Sequence, residues 1–428
     1  MKIWDQNLEG GNSAIDNFLS GEDIILDQEL FLFDIEASIA HALELKEVKV
    51  LTAGEAKKII TALNKLAKLF KTKKYKLTEK YEDCHSAIED FLTKELGTTG
   101  KKIHTGRSRN DQVMVAMRLY AQAKMYEVQT ANIKIAKVFF DKALKHSNDP
   151  MPGYTHLQRA MPSTWGLWFG AFAESFADNA ELLENTRSWM NINPLGTAAG
   201  FGVNLPLKRD TSTQKLKFKR KQLNSMYVQN SRGKFELEMI GALKQPLLDV
   251  RKFSWDMSLF LTQEFNLLSI GSQYSTGSSI MPNKSNPDVV EMMRANYSIL
   301  AGHYSELENL ISLPSGYHRD LQLTKRSMVH SMHCAINTLR LIPDLVRSIK
   351  INTSRSKDFI DEEMLMTDEA YELVQSGVPF RDAYMKVKTS ERKNSLDKNI
   401  SRKKSSSGSA YNLELRILRA RLKKLSTN

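Results

Sequence analysis

The sequence has little cysteine, little proline and no long apolar run. Its two cysteines, Cys84 and Cys334, stand far apart in a chain of 428 residues. That spacing excludes a disulfide framework. No stretch reaches the ~18 consecutive apolar residues that a membrane span requires. The opening MKIWDQNLEGG lacks the apolar centre of a secretion signal, so a cytoplasmic protein is expected. Alternating apolar and polar runs long enough to found a sheet are also missing. With 11 prolines and 21 glycines, the chain has few helix breakers.

What is present is an ordinary globular balance, 41% hydrophobic and 26% charged. The net charge of +12 is concentrated at one end. Residues 389–428 hold eleven Lys/Arg against three Asp/Glu, which accounts for +8 of it. A nucleic-acid arm would need aromatic stacking residues, and this tail has only Tyr411. A solvated terminal helix behind a polar link at 391–409 explains it better, and no nucleic-acid partner is expected.

Residues 111–148 contain neither proline nor glycine. One helix over that span would be ~55 Å long, a length suited to an elongated bundle. Similar stretches recur at 163–190, 234–268, 288–313 and 326–350, with Gly241, Pro246 and Pro343 as candidate bends or breaks. Ala56, Ile59, Ile60, Leu63, Leu66 and Phe70 follow helical spacing and form one apolar face. The expectation is an all-α protein in three parts: a helical domain at 1–105, a long-helix domain at 106–350 and a short helical domain at 351–428. Stretches such as SILAGHYSELENLISL are apolar on more than one face, which points to helices shared between subunits.

Four polar islands interrupt the helices. HTGRSRNDQ (104–112) crowds Arg107, Arg109 and Asn110 around a glycine ahead of the longest stretch. Ser108 or Asn110 suits the helix cap, while the arginines suit carboxylates. MPGYTHLQRAMP (151–162) joins two helices and carries Thr155 and His156; histidine is a proton carrier near neutral pH. STGSSIMPNKSNP (275–287) has Ser278 and Ser279 after a glycine, a helix-breaking Pro282, and Asn286-Pro287 as a helix start, with Asp288 and Glu291 in the first turn. Its Gly, Ser and Lys lack phosphate-loop spacing. PSGYHRDLQLTK (314–325) places Gln322 and Lys325 three apart on one helical face. His330, His333 and Cys334 lie together without a second pair of ligands, so no metal site is expected there. Each island alone is compatible with a plain connection.

Taken together, they resemble one family. GSSIMPNKSNP at 277–287 is similar to the signature loop of the fumarase/aspartase superfamily, G-S-S-x-M-P-x-K-x-N-P, at every specified position. HTGRSRNDQ, with EASIAHA (36–42), YTHLQRAMP (154–162) and YHRDLQLTK (317–325), resembles the argininosuccinate lyase branch. The resemblance runs from about residue 20 to about residue 385. It implies an all-α homotetramer with a shared central bundle and active sites drawn from three subunits. It also implies cleavage of argininosuccinate to arginine and fumarate, without cofactor or metal.

Residue by residue, the resemblance makes Ser278 the general base, with Lys284 and Asn286 supporting the loop and the carbanion. It gives His156 a supporting or acid role with Glu291 as its partner. Ser38, Arg109, Asn110, Thr155, Tyr317, Gln322 and Lys325 fall at substrate-binding positions, Arg109 facing a carboxylate. The chemistry suits these types, because removing a proton beside a carboxylate builds a dianion that needs preorganised donors. Serine can act as a base only where N–H groups, a cation and loss of water stabilise its alkoxide. The N-terminal start and segment 193–209 depart from the family pattern. Two other readings fit the same fold: a sister lyase acting on another N-substituted succinate, and a catalytically silent structural protein.

Overall fold

A computed structural model describes residues 18–19, 21–390 and 404–427. Long helices dominate it. They include α1 (Asp23–Glu47), α2 (Ala53–Lys71), α3 (Cys84–Leu96) and α4 (Arg109–Lys145), then α5 (Trp165–Trp189), α6 (Lys234–Phe260), α7 (Asp288–Leu310) and α8 (Thr324–Leu339), and near the end α9 (Leu415–Thr427). The stretch free of proline and glycine is covered up to Lys145 by a single helix of 37 residues. The fold is all-α; among the described residues strands occur only in two-stranded pairs. No helix among the described residues is long and apolar enough to cross a membrane.

The chain packs as two compact units. One comprises the residues up to Glu127, Leu182–Lys244 and Ser298–Cys334; the other comprises Val128–Glu181, Gln245–Tyr297 and the residues from Ala335. Each of α4 to α8 begins in one unit and ends in the other.

In the first unit α1, α2 and α3 enclose a core containing Phe31, Leu45, Ile59, Leu63, Ile88 and Leu92. Burying each of these side chains contributes ~1.5–3 kcal/mol. The spacing in α2 works as expected, with Ala56, Ile59, Leu63 and Leu66 buried. A reciprocal capping box between Thr52 and Glu55 starts this helix. Helix α1 also buries Asp23, Asp27 and Asp34, which recur at a helical period and therefore share a face.

In the second unit aromatic residues form the core. Phe139 lies 5.2 Å from Phe253 in an edge arrangement and 5.8 Å from Phe176 in a stack. Trp165 and Trp168 join the same cluster through Phe169. These pairs add to the area they bury, by ~0.5–1.5 kcal/mol each. Pro246 sits inside α6 without ending it, and buried Leu247, Val250 and Phe253 hold the helix together beyond it. Pro343 instead opens a new short helix at Ile342–Ser348. The basic α9 docks on this unit: Arg421 pairs with Asp178 at 2.6 Å and Glu181 at 2.9 Å, and Leu422 and Leu425 are buried. Residues 391–403 of the expected link lie outside the described residues, as does the N-terminal start.

Two expectations need adjustment. The island at 151–162 is a β-ribbon rather than a bare connection, with β1 (Pro150–Thr155) paired antiparallel to β2 (Gln158–Thr164). A two-stranded ribbon consists only of edges, so Pro150, Pro152 and Pro162 leave no ladder bond unmade. Likewise Asn286 does not cap α7. It pairs in a second ribbon, β3 (Thr276–Gly277) with β4 (Ser285–Asn286), and Pro287 accepts the first helical bonds from Val290 and Glu291.

Candidate active site

The expected site residues fall into both units, and each group is built differently. In the first unit Ser108 caps α4, accepting from Asn110 N–H at 3.3 Å, while Asp111 accepts from Ser108 N–H at 2.9 Å. Asp111 also receives the N–H groups of Gly196, Thr197 and Ala198. Burial pushes its carboxyl up to about 6, against the pull of these donors. One buried carboxylate thus ties the arginine island to the loop at 194–198.

Arg107 turns inward and donates to Ser38 Oγ at 2.9 Å. Ser38, expected at the substrate surface, is 0% exposed and supports Arg107. One helical turn on, His41 is buried against Thr105 O, and burial pulls its pKa down to about 3. It is therefore neutral. Arg109 turns the other way, reaching Asp83 at 2.9 Å, Glu82 at 3.3 Å and Ser86 Oγ at 3.0 Å. Lys325 Nζ lies 2.6 Å from Asp27 and 3.0 Å from Asp23. Burial alone would lower its pKa; the two carboxylates outweigh that and raise it. Gln322 donates to Asp23 as well. Arg109, Asn110, Tyr317, Gln322 and Lys325 thereby line one open cleft.

In the second unit the expected residues stand on ribbon tips. His156 and Leu157 form the turn between β1 and β2, with φ of 54° and 59°. Such a mirror-image turn normally takes Asn-Gly, so two bulky residues there are strained. Thr155, His156 and Leu157 are exposed. The second ribbon presents residues 278–284 as its loop. Ser278 Oγ accepts the N–H groups of Ile280 at 3.3 Å and Met281 at 3.0 Å. Lys284 N–H donates to Met281 O at 3.1 Å, and the Lys284 side chain is exposed. Thr276 anchors the ribbon to α7 by donating to Asp288. Within one chain the side chains of His156 and Glu291 share no hydrogen bond, and both are exposed.

Three ligand-type groups cluster in the first unit: Asp34, Cys84 and His85, all buried. Two of them, Asp34 and His85, are already paired with each other. His85 Nδ1 is 2.7 Å from Asp34, whose oxygens also accept from Gln112 at 3.0 and 3.2 Å. Burial raises the Cys84 thiol pKa well above its usual value, which disfavours a thiolate ligand. Sequence reasoning missed this network and the roles of Glu82, Asp83 and Asp111. Part of the signal was available as Asp23, Asp27 and Asp34 at helical spacing on α1.

A lyase family model matches residues 14–300. Among solved structures, the chain is similar to an EDDS lyase in complex with formate (TM-score 0.78, 21% identity, 98% of this chain and 92% of that one). It is also similar to a class II fumarase from Schistosoma mansoni (TM-score 0.74, 15% identity, 89% and 93% covered). Fold and family model together define a lyase of the fumarase/aspartase superfamily. The argininosuccinate lyase of Stenotrophomonas maltophilia (strain R551-3) is 44% identical over 427 residues, 99% of each chain. That of Xanthomonas oryzae pv. oryzae (strain PXO99A) is 47% identical over 382 residues, 89% of each. The chain belongs to the argininosuccinate lyase family and is a carbon–nitrogen lyase.

Proposed function

We propose that the chain carries out reversible β-elimination of argininosuccinate to L-arginine and fumarate, in the cytoplasm and in arginine biosynthesis. The observation that carries the mechanism is the pair of backbone N–H groups directed at Ser278 Oγ. These donors stabilise an alkoxide, which is what a serine base needs. Ser278 removes the proton beside the substrate carboxylate as the loop closes and excludes water. Lys284 and Asn286 offset the charge of the resulting aci-carboxylate. Thr155 and Asn110 donate to the substrate, and His156 supports the reacting end with Glu291 as its partner. Tyr317, Gln322 and Lys325 form the recognition surface. Arg109 reaches a substrate carboxylate by exchanging its partner Asp83.

The exposed state of His156 and Glu291 in one chain supports a homotetramer in which three subunits build each site. In that assembly residues 106–350 supply the shared helices, flanked by 1–105 and 351–428. The test is direct. Purified protein incubated with argininosuccinate should release fumarate, followed by its absorbance, with one arginine per fumarate. Fumarate from adenylosuccinate but none from argininosuccinate would reject this reading.

A further inference from the structure

The histidines of α8 find on α7 the second pair of ligand-type groups that their own segment lacks. His330 and His333 lie three positions apart on α8 and so share a face. On α7, His303 and Glu306 have the same spacing. The rings of His303 and His330 meet across the two helices, with centroids 5.9 Å apart and planes inclined by 54°. Two imidazoles that bind one ion through nitrogen at ~2.0–2.1 Å have centroids ~5–6 Å apart, so this spacing is that of a ligand pair. All four residues belong to the first unit.

The neighbours prepare these rings as ligands. His303 Nδ1 lies 3.1 Å from Glu306 Oε2. A carboxylate accepts, so in the neutral ring the proton sits on Nδ1 and Nε2 keeps its lone pair. Carboxylates orient metal-bound histidines in this way. Glu306 is itself fixed: Ser327 Oγ donates to the same oxygen at 2.9 Å, and Arg326 faces the other at 3.8 Å. The ring nitrogens of His330 have no hydrogen-bond partner among the described residues. His333 turns toward α1, its Nε2 3.4 Å from Glu29, and its side chain is 44% exposed, which leaves it free to change rotamer.

We infer that His303 and His330 bind a divalent transition-metal ion of the zinc class, with His333 turning from Glu29 to complete a three-imidazole site. Imidazole suits Zn²⁺, Ni²⁺ and Cu²⁺, whereas Mg²⁺ and Ca²⁺ prefer oxygen ligands. The ion ties α7 to α8, the helices on either side of the segment that carries Tyr317 and Gln322. The inference does not depend on the proposed elimination. Calorimetry on the full-length, tag-free chain, first stripped with a chelator, should show one Zn²⁺ bound per chain and no heat from Mg²⁺ at the same concentration. Glu306→Gln keeps every ring and should weaken Zn²⁺ binding about 10- to 100-fold, the scale of a lost outer-shell partner. His303→Ala and His330→Ala each remove a ligand and should cost at least the ~100-fold upper end of that range. His104→Gln, elsewhere in the first unit, should bind as the unmodified chain does. No Zn²⁺ binding by the unmodified chain overturns the assignment. Undiminished binding in either alanine variant, or an equal loss in His104→Gln, does the same and places the ion on other histidines. If the alanine variants lose their helical circular-dichroism signal, Glu306→Gln decides alone, and unchanged affinity there overturns the site.

Discussion

Lys325 and His156 illustrate how differently the two units hold their site residues. Lys325 is buried and clamped by two aspartates from α1, with Gln322 bound to one of them. His156 stands in solvent on a strained two-residue turn. Ser278 is similar to His156, carried on an open ribbon loop with only local N–H partners. The charge proposed for recognition is thus fixed in advance by folding. Of the groups proposed for proton transfer, His156 is exposed and Ser278 half-buried within one chain. A fixed charge array costs nothing to reorganise at the moment of reaction, while an exposed loop is free to close over substrate.

The largest expected effect comes from the clamped side. Lys325→Met leaves Asp27 and Asp23 buried without their cation and should destabilise the fold by ~3–5 kcal/mol. Lys284→Met, on the exposed loop, should leave the denaturant midpoint unchanged; similar losses in the two variants would erase the contrast. Next in size is Ser278→Ala, with turnover expected to fall by ~10² or more at an unchanged midpoint. Near-normal fumarate release would remove Ser278 from the proton transfer. The smallest effect belongs to the ribbon tip. Leu157→Gly relieves one left-handed residue and should stabilise the chain by ~1 kcal/mol with His156 kept. A lower midpoint would show that Leu157 is held by packing and is not strained.

Much of this was legible in the chain itself. Residues 111–148 announced α4 because nothing in them breaks a helix, and the spacing of Ile59, Leu63 and Leu66 marked a buried face. The islands were legible because polar, bent segments are out of place among helices. The ribbons at 150–164 and 276–286 were not, because neither carries alternation, and the His-Leu turn violates the usual residue preference. The fate of Ser38 was also hidden. Its burial depends on Arg107, 69 positions away, turning inward while Arg109 turns toward Asp83. Charge pairs of this kind depend on tertiary geometry, which local pattern does not encode. For the same reason Glu82 carried no signal, as it looks like an ordinary charged residue until Arg109 is beside it.

The apolar residues beside the reactive groups have a thermodynamic consequence. Ile280 is 86% exposed and Leu157 73%, with Met281 also exposed on the Ser278 loop. With solvent-facing methyl and methylene groups at these tips, the proposed closure would transfer hydrocarbon out of water. Substrate binding should then carry a negative heat-capacity change, separate from the ionic enthalpy of the charged cleft. The hydration of a few side chains at the loop tips would make the enthalpy of substrate capture depend on temperature.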